Sequence, residues 1–335
     1  MIFPRIMTRT MMHVVALIML MASHSSLKAE DKLGQTGFQF LSVHSDARGA
    51  ALAGAMTTIP ANSSSLFFNP AGLARMEARF DVATSINQWI ADINHNSLSA
   101  AYRPMNGDYG VFGLSITSVD YGDIQGYAVH PVSLGYVPTH ILRPSALSIG
   151  LGYAKNLSDR FAIGGQVKHS SQQLDKGIYE IDDSLAVKKN MAQAFAYDFG
   201  TLFYTGFKGI AFGMNIRNFS NEISYEKENF QLPLTFTMGI SMDVFEWFEY
   251  RSPDHSLQLS LDAVHPRSYP EYLNIGVEYE MQQSFYLRSG FMHNRDERNW
   301  SYGLGIHKYG LTLDYAFIPF GIFENVQMIS ARFSY

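Results

Sequence analysis

The sequence predicts an all-β protein: a transmembrane antiparallel β-barrel of about 14 strands with an N-terminal hatch in the lumen. Three observations lead to this fold class. Only 16% of the 335 residues are charged, where soluble domains carry about 25%. Aromatic residues make up 14% of the chain, and it contains 27 glycines. Finally, apolar residues alternate with small or polar ones from about residue 79 to the C-terminus, and after residue 30 no apolar run is long enough for a membrane helix.

Residues 1–29 have the layout of a secretory signal peptide. Two arginines precede an apolar run from Met11 to Ala22, and Ala29 offers a small residue at the cleavage site. A signal anchor is the alternative, but the run is short for a membrane span. We therefore expect cleavage before Glu30 and export to the bacterial outer membrane. The chain has no cysteine, which excludes disulfides, thiolate metal sites and a lipidated N-terminal cysteine.

Residues 79–335 carry the barrel pattern. Residues 147–154, for example, read Leu-Ser-Ile-Gly-Leu-Gly-Tyr-Ala, so one face is apolar and the other small or polar. The second face of a soluble sandwich is usually rich in Lys and Glu, whereas here it is mostly Gly, Ser, Thr and Asn. This favours an apolar face toward lipid and a polar face toward the lumen. Lipid also requires closure, because an open sheet edge would leave backbone groups unpaired.

The lengths of the connections assign the two ends of the barrel. Short turns alternate with longer polar loops at 121–143, 174–191, 219–232 and 294–298, which we place outside the cell. One long connection, 244–255, falls on the periplasmic side, where it predicts a small amphipathic helix at the membrane interface with Trp247, Phe248 and Tyr250. The strands themselves are predicted near 79–90, 95–104, 109–120, 144–155, 160–173, 192–205, 210–219, 233–243, 256–265, 271–280, 284–293, 299–307, 310–318 and 326–335.

Residues 30–78 differ in composition and predict a compact hatch. Small residues from Ala50 to Ala55 indicate a short helix or turn, and Asn69-Pro70 is a turn initiator. A barrel of this size is wider than side chains alone fill, so a folded plug suits it; a surface lead-in is the alternative. We expect the hatch motif to be structural, with ligand lining as a second role: Phe67, Phe68, Asn69, Pro70, Ala71, Gly72 and Leu73.

These motifs resemble the PorV/PorQ family of outer-membrane proteins, relatives of the FadL-type fatty-acid channels. The C-terminal alternation ending in Tyr335 also resembles the signal that barrel-assembly machinery recognises. The resemblance implies a fourteen-stranded barrel with an N-terminal hatch. It also implies a role in type IX secretion, in which PorV binds the C-terminal domain of folded cargo and carries the cargo to the surface attachment complex. The sequence motifs do not assign the chain to PorV, to PorQ or to a broader branch of the family. The matching segments are 37–41, 46–50, 52–55, 69–73, 89–92, 232–234 and 262–266.

The sequence offers no catalytic residue, cofactor site or metal site. The histidines are scattered without a His-Glu-x-x-His motif, no run of acids has calcium-loop spacing, and no Gly-x-Ser-x-Gly elbow is present. His265 stands at a strand end, where a cap or turn role is expected. The net charge of −5 without a basic run argues against nucleic acid as a partner. The protein is therefore not expected to be an enzyme.

Eight charged residues fall on the lumen-facing positions of the predicted strands. Pairing inside the barrel or with the hatch is their expected role, and a selectivity or gating role is the alternative. They are Arg103, Asp198, Arg217, Asp262, Glu278, Arg288, Asp314 and Arg332.

The sequence is consistent with three functions. The first is an accessory or shuttle component of type IX secretion whose extracellular loops bind secretion-system proteins or cargo C-terminal domains. The second is a passive FadL-like channel for hydrophobic small molecules, with Phe67, Phe68 and Leu73 as lining residues. The third is a structural outer-membrane protein without transport. Outer-membrane lipid is a partner in all three.

Overall fold

The computed structural model describes residues 36–129, 135–181, 184–225, 228–248, 254–294, 299–323 and 325–335. The predicted signal peptide lies outside these residues. Among the described helices, none is long and apolar enough to cross a membrane. The helices are α1 (Ala47–Ala51), α2 (Val244–Trp247) and 3-10 turns at Gln39–Ser42, Asn62–Phe67, Pro70–Arg75, Ile90–Asp92 and Pro104–Gly107.

The described residues form eighteen strands in chain order. They are β1 (Phe80–Gln88), β2 (Asn94–Tyr102), β3 (Val111–Asp120), β4 (Ile124–Val129), β5 (Tyr136–Leu142), β6 (Ser145–Asn156), β7 (Phe161–Ile181), β8 (Ser184–Tyr204), β9 (Ala211–Phe219), β10 (Ile223–Tyr225), β11 (Glu228–Phe230), β12 (Thr235–Asp243), β13 (His255–Pro266), β14 (Tyr272–Met281), β15 (Phe285–His293), β16 (Trp300–Lys308), β17 (Leu311–Ile318) and β18 (Val326–Ser334).

Fourteen of these strands make a closed barrel in the order β1-β2-β3-β6-β7-β8-β9-β12-β13-β14-β15-β16-β17-β18, with β18 returning to β1. The first and last strands pair antiparallel. The amides of Phe80 and Tyr335 each donate to the other's carbonyl at 2.8 Å. The predicted fourteen-stranded barrel is confirmed, and closure leaves it no open edge.

Exposure alternates along the barrel strands as the sequence predicts. On β16, Trp300, Tyr302, Leu304 and Ile306 are exposed, while the intervening Ser301, Gly303 and Gly305 are buried. Similar alternation recurs on β1, β2 and β6. The exposed side chains of this belt are large and apolar. Such a surface is stable against acyl chains and unfavourable in water.

The prediction of a loop at 174–191 is wrong. β7 continues to Ile181 and β8 begins at Ser184, and the two pair over this whole stretch with one register shift between Gln173 and Asp175. β6 contributes its last partner, Ser145, at Gln173, so the hairpin projects beyond the neighbouring strand. The projecting part of the hairpin does not separate lipid from the lumen, so neither face of it has to be apolar. The period-two pattern therefore stops although the strands do not.

Two other predicted extracellular loops contain small sheets of their own. β4 and β5 pair within the connection between β3 and β6, and β10 and β11 pair between β9 and β12. On the opposite side the predicted periplasmic helix is one turn, α2. Asp243 caps it by accepting from the amide of Phe245 at 2.8 Å, and Trp247 and Phe248 are exposed. Tyr250 lies outside the described residues.

Candidate functional site in the barrel lumen

Residues 36–78, here named the N-terminal segment, lie against the inner face of the wall. At inward-facing glycines an added Cβ would collide with this segment, and these glycines occur on strands around the whole barrel. Their outward neighbours are exposed. Since the barrel is closed, a segment that touches its inner face on so many strands lies inside it. The pairs are Gly113 and Gly152 with Leu66, Gly164 with Pro70, Gly213 and Gly239 with Thr57, Gly276 with Leu52, and Gly303 with Ala51.

The short helix α1 consists of small residues apart from Arg48. The short helix or turn predicted at Ala50 to Ala55 corresponds to the last two residues of α1 and the turn that follows. Asp46 caps it by accepting from the amide of Gly49 at 3.2 Å. Ala47, Gly49, Ala50 and Ala51 are all buried. Part of this helix packs against buried side chains of β17 and β18. Larger residues would hold the helix axis farther from the wall, so the run of small residues fixes the close approach.

Asn69 organises the motif at Phe67–Leu73. Its Nδ2 donates to the carbonyl of Thr57 at 2.7 Å and to the carbonyl of Thr201 on β8 at 3.0 Å. Its Oδ1 accepts from the amide of Ala71 at 3.1 Å, and Pro70 starts the following 3-10 turn. The predicted Asn-Pro turn is confirmed. One amide group therefore joins two parts of the N-terminal segment to the wall.

Phe67, Phe68 and Leu73 have different surroundings among the described residues. Leu73 is fully buried in an apolar cluster with wall residues. The ring of Phe68 lies against Gly49 within the N-terminal segment. Phe67 lines a small lumenal cavity. Within the motif, Ala71 and Gly72 are buried as well.

A buried ion network joins the N-terminal segment to β14, β15 and β17. Arg48 donates from Nε and Nη2 to the two carboxylate oxygens of Glu278, at 2.8 and 2.7 Å. Arg288 bonds Glu278 from its Nε at 2.5 Å and Asp314 from its Nη1 at 2.6 Å. All four side chains are largely buried. The alternation along the strands predicts that Glu278, Arg288 and Asp314 face the lumen. It does not predict the position of Arg48, which lies before the first strand.

Two further carboxylates hold the N-terminal segment near its serine-rich turn. Arg332 on β18 donates from Nη2 to Ser64 at 3.0 Å and approaches Asp46 at 3.4 Å. Asp81 on β1 accepts from the amide of Ser63 at 2.9 Å. Asp81 is fully buried. Asp81 is not among the eight charged residues predicted to face the lumen, although it lies between the outward-facing Phe80 and Val82 on β1.

The opposite side of the lumen contains a polar cavity of about 30 Å³, lined by Phe67, Gln166, Lys168 and Arg217 among others. The amine of Lys168 lies 2.7 Å from Asp198. Arg217 donates from Nη1 to the carbonyl of Phe67 at 2.7 Å. A cavity of this size has room for one or two waters.

The remaining predicted lumenal charges divide into two cases. Asp262 is buried and accepts from the amide of Thr57 at 3.0 Å. Arg103 lies instead at the start of a periplasmic turn and bonds the carbonyl of Glu77 at 2.7 Å. The expected structural pairing therefore describes the buried charges, and Arg103 contributes at the rim.

In the part of the chain that the structure describes, no three His, Cys, Asp or Glu side chains lie close enough together to bind a metal ion. His265 instead faces Glu271 at 2.8 Å across an exposed loop. A hydrogen bond from its own amide, together with His265, lowers the pKa of Glu271.

A closed fourteen-stranded antiparallel barrel, with an apolar belt outside and a filled lumen, defines an outer-membrane β-barrel protein. The chain belongs to the family described as type IX secretion system protein PorV, whose model matches residues 26–257.

Solved structures of FadL-type barrels share the fold. The toluene transporter TbuX of Ralstonia pickettii is 13% identical with a TM-score of 0.57, covering 90% of this chain and 99% of that chain. The toluene transporter TodX of Pseudomonas putida is 11% identical with a TM-score of 0.58, covering 90% and 98%. A Pseudomonas aeruginosa FadL homologue is 11% identical with a TM-score of 0.54, covering 87% and 98%. No curated protein sequence matches the chain.

Proposed function

We propose that the protein acts as an accessory or shuttle component of type IX secretion, and that it binds the C-terminal domain of folded cargo through its extracellular surface. The family match over residues 26–257 carries this proposal. The N-terminal segment supports it as a hatch, residues 30–78, that closes the lumen of the barrel at 79–335. A filled lumen offers no path for a folded protein, so the cargo contact falls to the loops. Export requires the signal peptide at 1–29, cleaved before Glu30.

The β4–β5 hairpin is the part of that surface with the most suitable chemistry. The rings of Tyr127 and Tyr136 meet edge to face at 5.3 Å. They are 62% and 50% exposed. An exposed ion pair between Arg143 and Asp123, at 2.9 Å, closes the base of the hairpin. Exposed aromatic residues of this kind are typical of protein-binding surfaces.

The test removes the tyrosine pair and measures cargo attachment. Cells that produce Tyr127→Ala with Tyr136→Ala are expected to release a reporter carrying the cargo C-terminal domain instead of retaining it on the surface. Tyr309→Ala is the matched control, because Tyr309 is 89% exposed on a periplasmic turn. Excision of residues 124–142 extends the test to the whole hairpin. Normal attachment in both variants, with the barrel present in the outer membrane, would contradict the proposal.

A passive channel for hydrophobic molecules is the second candidate, favoured by the fold shared with toluene transporters. It requires a continuous apolar path between the N-terminal segment and the wall. The lumenal cavity beside Phe67 measures only about 30 Å³, and its lining mixes apolar side chains with hydroxyl, amide and charged ones. Uptake of radiolabelled toluene by cells with and without the protein separates the candidates. A structural protein without transport predicts neither an uptake nor a cargo defect.

A further inference from the structure

The outer surface of the wall has a groove of about 500 Å³ across β6, β7, β8, β9 and β12. Its centre is Gly165, which faces outward because its neighbour Gly164 touches Pro70 inside the barrel. Gly165 pairs with Tyr153 on β6 and with Phe199 on β8. The row across these strands therefore has an aromatic ring on each side and no side chain in the middle.

The lining of this groove is apolar and open to the membrane. Tyr153, Ile163, Phe199 and Met214 line it and are 42%, 40%, 56% and 44% exposed. Its volume falls in the range of small-molecule sites. A concave apolar site on a surface otherwise covered by outward side chains matches the shape and chemistry of one acyl chain.

The position of the groove along the barrel selects the periplasmic leaflet. Gly165 is four residues from Phe161, where β7 leaves a short periplasmic turn, which is about 13 Å of strand. The hydroxyl of Tyr153 donates to the carbonyl of Tyr109, in another periplasmic turn, at 3.1 Å. Tyrosines with the ring in lipid and the hydroxyl at the interface mark that boundary.

Three cations lie at the periplasmic end of the same strands. Lys155 is the cross-strand partner of Ile163, so their Cβ atoms are about 5 Å apart. The guanidinium of Arg160 lies against Gly206 in the next turn. The amine of Lys208 lies 4.8 Å from the ring centre of Trp247.

Among the described residues, no carboxylate forms an ion pair with any of the three cations. Two carboxylates are near these cations without pairing with them: Asp159 is next to Arg160 in the chain, and Asp243 lies against Gly209. The three cations outnumber these two carboxylates. Long basic side chains beside an apolar groove can bury their stems and keep their charges at the interface.

We propose that the groove and this rim form a binding site for one anionic phospholipid of the periplasmic leaflet. One acyl chain occupies the gap at Gly165, and the phosphate lies between Lys155, Arg160 and Lys208. A zwitterionic phospholipid offers the same chain and phosphate, but its ammonium group opposes the positive rim. The site therefore prefers phosphatidylglycerol to phosphatidylethanolamine. It is separate from the extracellular cargo surface and does not depend on the proposed function.

Native mass spectrometry of the mature protein, delipidated in detergent, tests the headgroup contact. Titration with dioleoylphosphatidylglycerol is expected to saturate first at one lipid per chain, at lower concentration than dioleoylphosphatidylethanolamine. Lys155→Gln should weaken phosphatidylglycerol binding about fivefold, the equivalent of about 1 kcal/mol for one basic residue at a lipid surface. Lys308→Gln is the matched control, since Lys308 ends β16 at the same rim of the barrel. Equal binding of the two lipids, or equal effects of the two substitutions, would overturn the headgroup assignment.

Gly165→Leu tests the groove itself. The nearest atom to an added Cβ is the carbonyl oxygen of Asp198, 3.3 Å away, so a side chain can point outward and fill the gap. Loss of the first bound phosphatidylglycerol is expected. Ala331→Leu is the control, because Ala331 faces outward on β18 about four residues from its periplasmic end. Retention of the lipid by folded Gly165→Leu would overturn the groove assignment. Lys155→Gln changes an outward-facing side chain and keeps the headgroup test available if Gly165→Leu fails to fold.

Discussion

The guanidinium of Arg48 and the carboxylate of Glu278 form a bidentate ion pair between the N-terminal segment and β14, with N–O distances of 2.8 and 2.7 Å. Arg48 also donates to the carbonyl of Pro60 at 3.1 Å. One side chain thus connects the start of the N-terminal segment, its middle and the wall. Because the pair is buried, each partner depends on the other.

Arg48→Met should destabilise the folded protein, since it leaves the carboxylate of Glu278 with Arg288 as its remaining partner. Loss of one member of a buried pair costs about 3–5 kcal/mol. We expect a lower denaturant midpoint in detergent. Arg143→Gln removes the exposed pair with Asp123 and should cost about 1 kcal/mol or less. Equal midpoints for the two variants would show that the buried pair does not hold the N-terminal segment.

Gly164→Ala should displace the N-terminal segment, while Gly165→Ala should not. A Cβ at Gly164 would lie 2.5 Å from the backbone of Pro70, whereas one at Gly165 meets nothing closer than 3.3 Å. Overpacking of this kind costs about 1–3 kcal/mol. Protease sensitivity at Arg75 in the N-terminal segment measures the displacement. The adjacent positions differ only in the face they occupy, and similar protection of both variants would argue against a packed lumen.

Asn69→Ala should loosen the same region by a different route. It leaves the buried carbonyls of Thr57 and Thr201 without their shared donor, at about 1–3 kcal/mol. Asn69→Asp keeps the size but replaces the donor with a carboxylate, so we expect at least the same loss. Thermal unfolding followed by tryptophan fluorescence checks both, with the exposed Asn94→Ala as the control. Unchanged melting of Asn69→Asp would contradict the assigned hydrogen bonds.

The wild-type barrel should admit no small sugars in liposomes. The N-terminal segment packs against wall glycines of β3, β6, β7, β9, β12 and β16. The cavities beside Phe67 and beside Trp300, about 30 and about 10 Å³, are each too small for a sugar. Swelling in arabinose should therefore proceed at the rate of protein-free vesicles. Rapid swelling would show that the N-terminal segment leaves the lumen in a membrane.

The strands could be predicted because lipid and lumen impose a strict alternation on each of them. The end of β7 and the start of β8 could not, because residues 174–191 lie beyond the layer that enforces the alternation. The same alternation also predicts that Glu278, Arg288 and Asp314 face inward. It could not pair them with Arg48, since that contact depends on how the N-terminal segment folds in three dimensions.

The groove has a signal in the sequence. Gly165 is a glycine on the outward face of β7, flanked at the same parity by Ile163 and Val167. A missing side chain among lipid-facing residues is visible from the period alone. The cations near it could not be assigned to it without the strand register, because Lys155, Arg160 and Lys208 lie on three different connections or strands.

The seam between Phe80 and Tyr335 also constrains the order of assembly. Strand β18 completes the ring of strands, whereas the N-terminal segment that the ring encloses precedes all of the strands in the sequence. The wall must therefore shut around contents that are already present, or those contents must enter through an end of the finished cylinder. A chain truncated by a few residues would keep its interior sequence intact and lose the means of enclosing it.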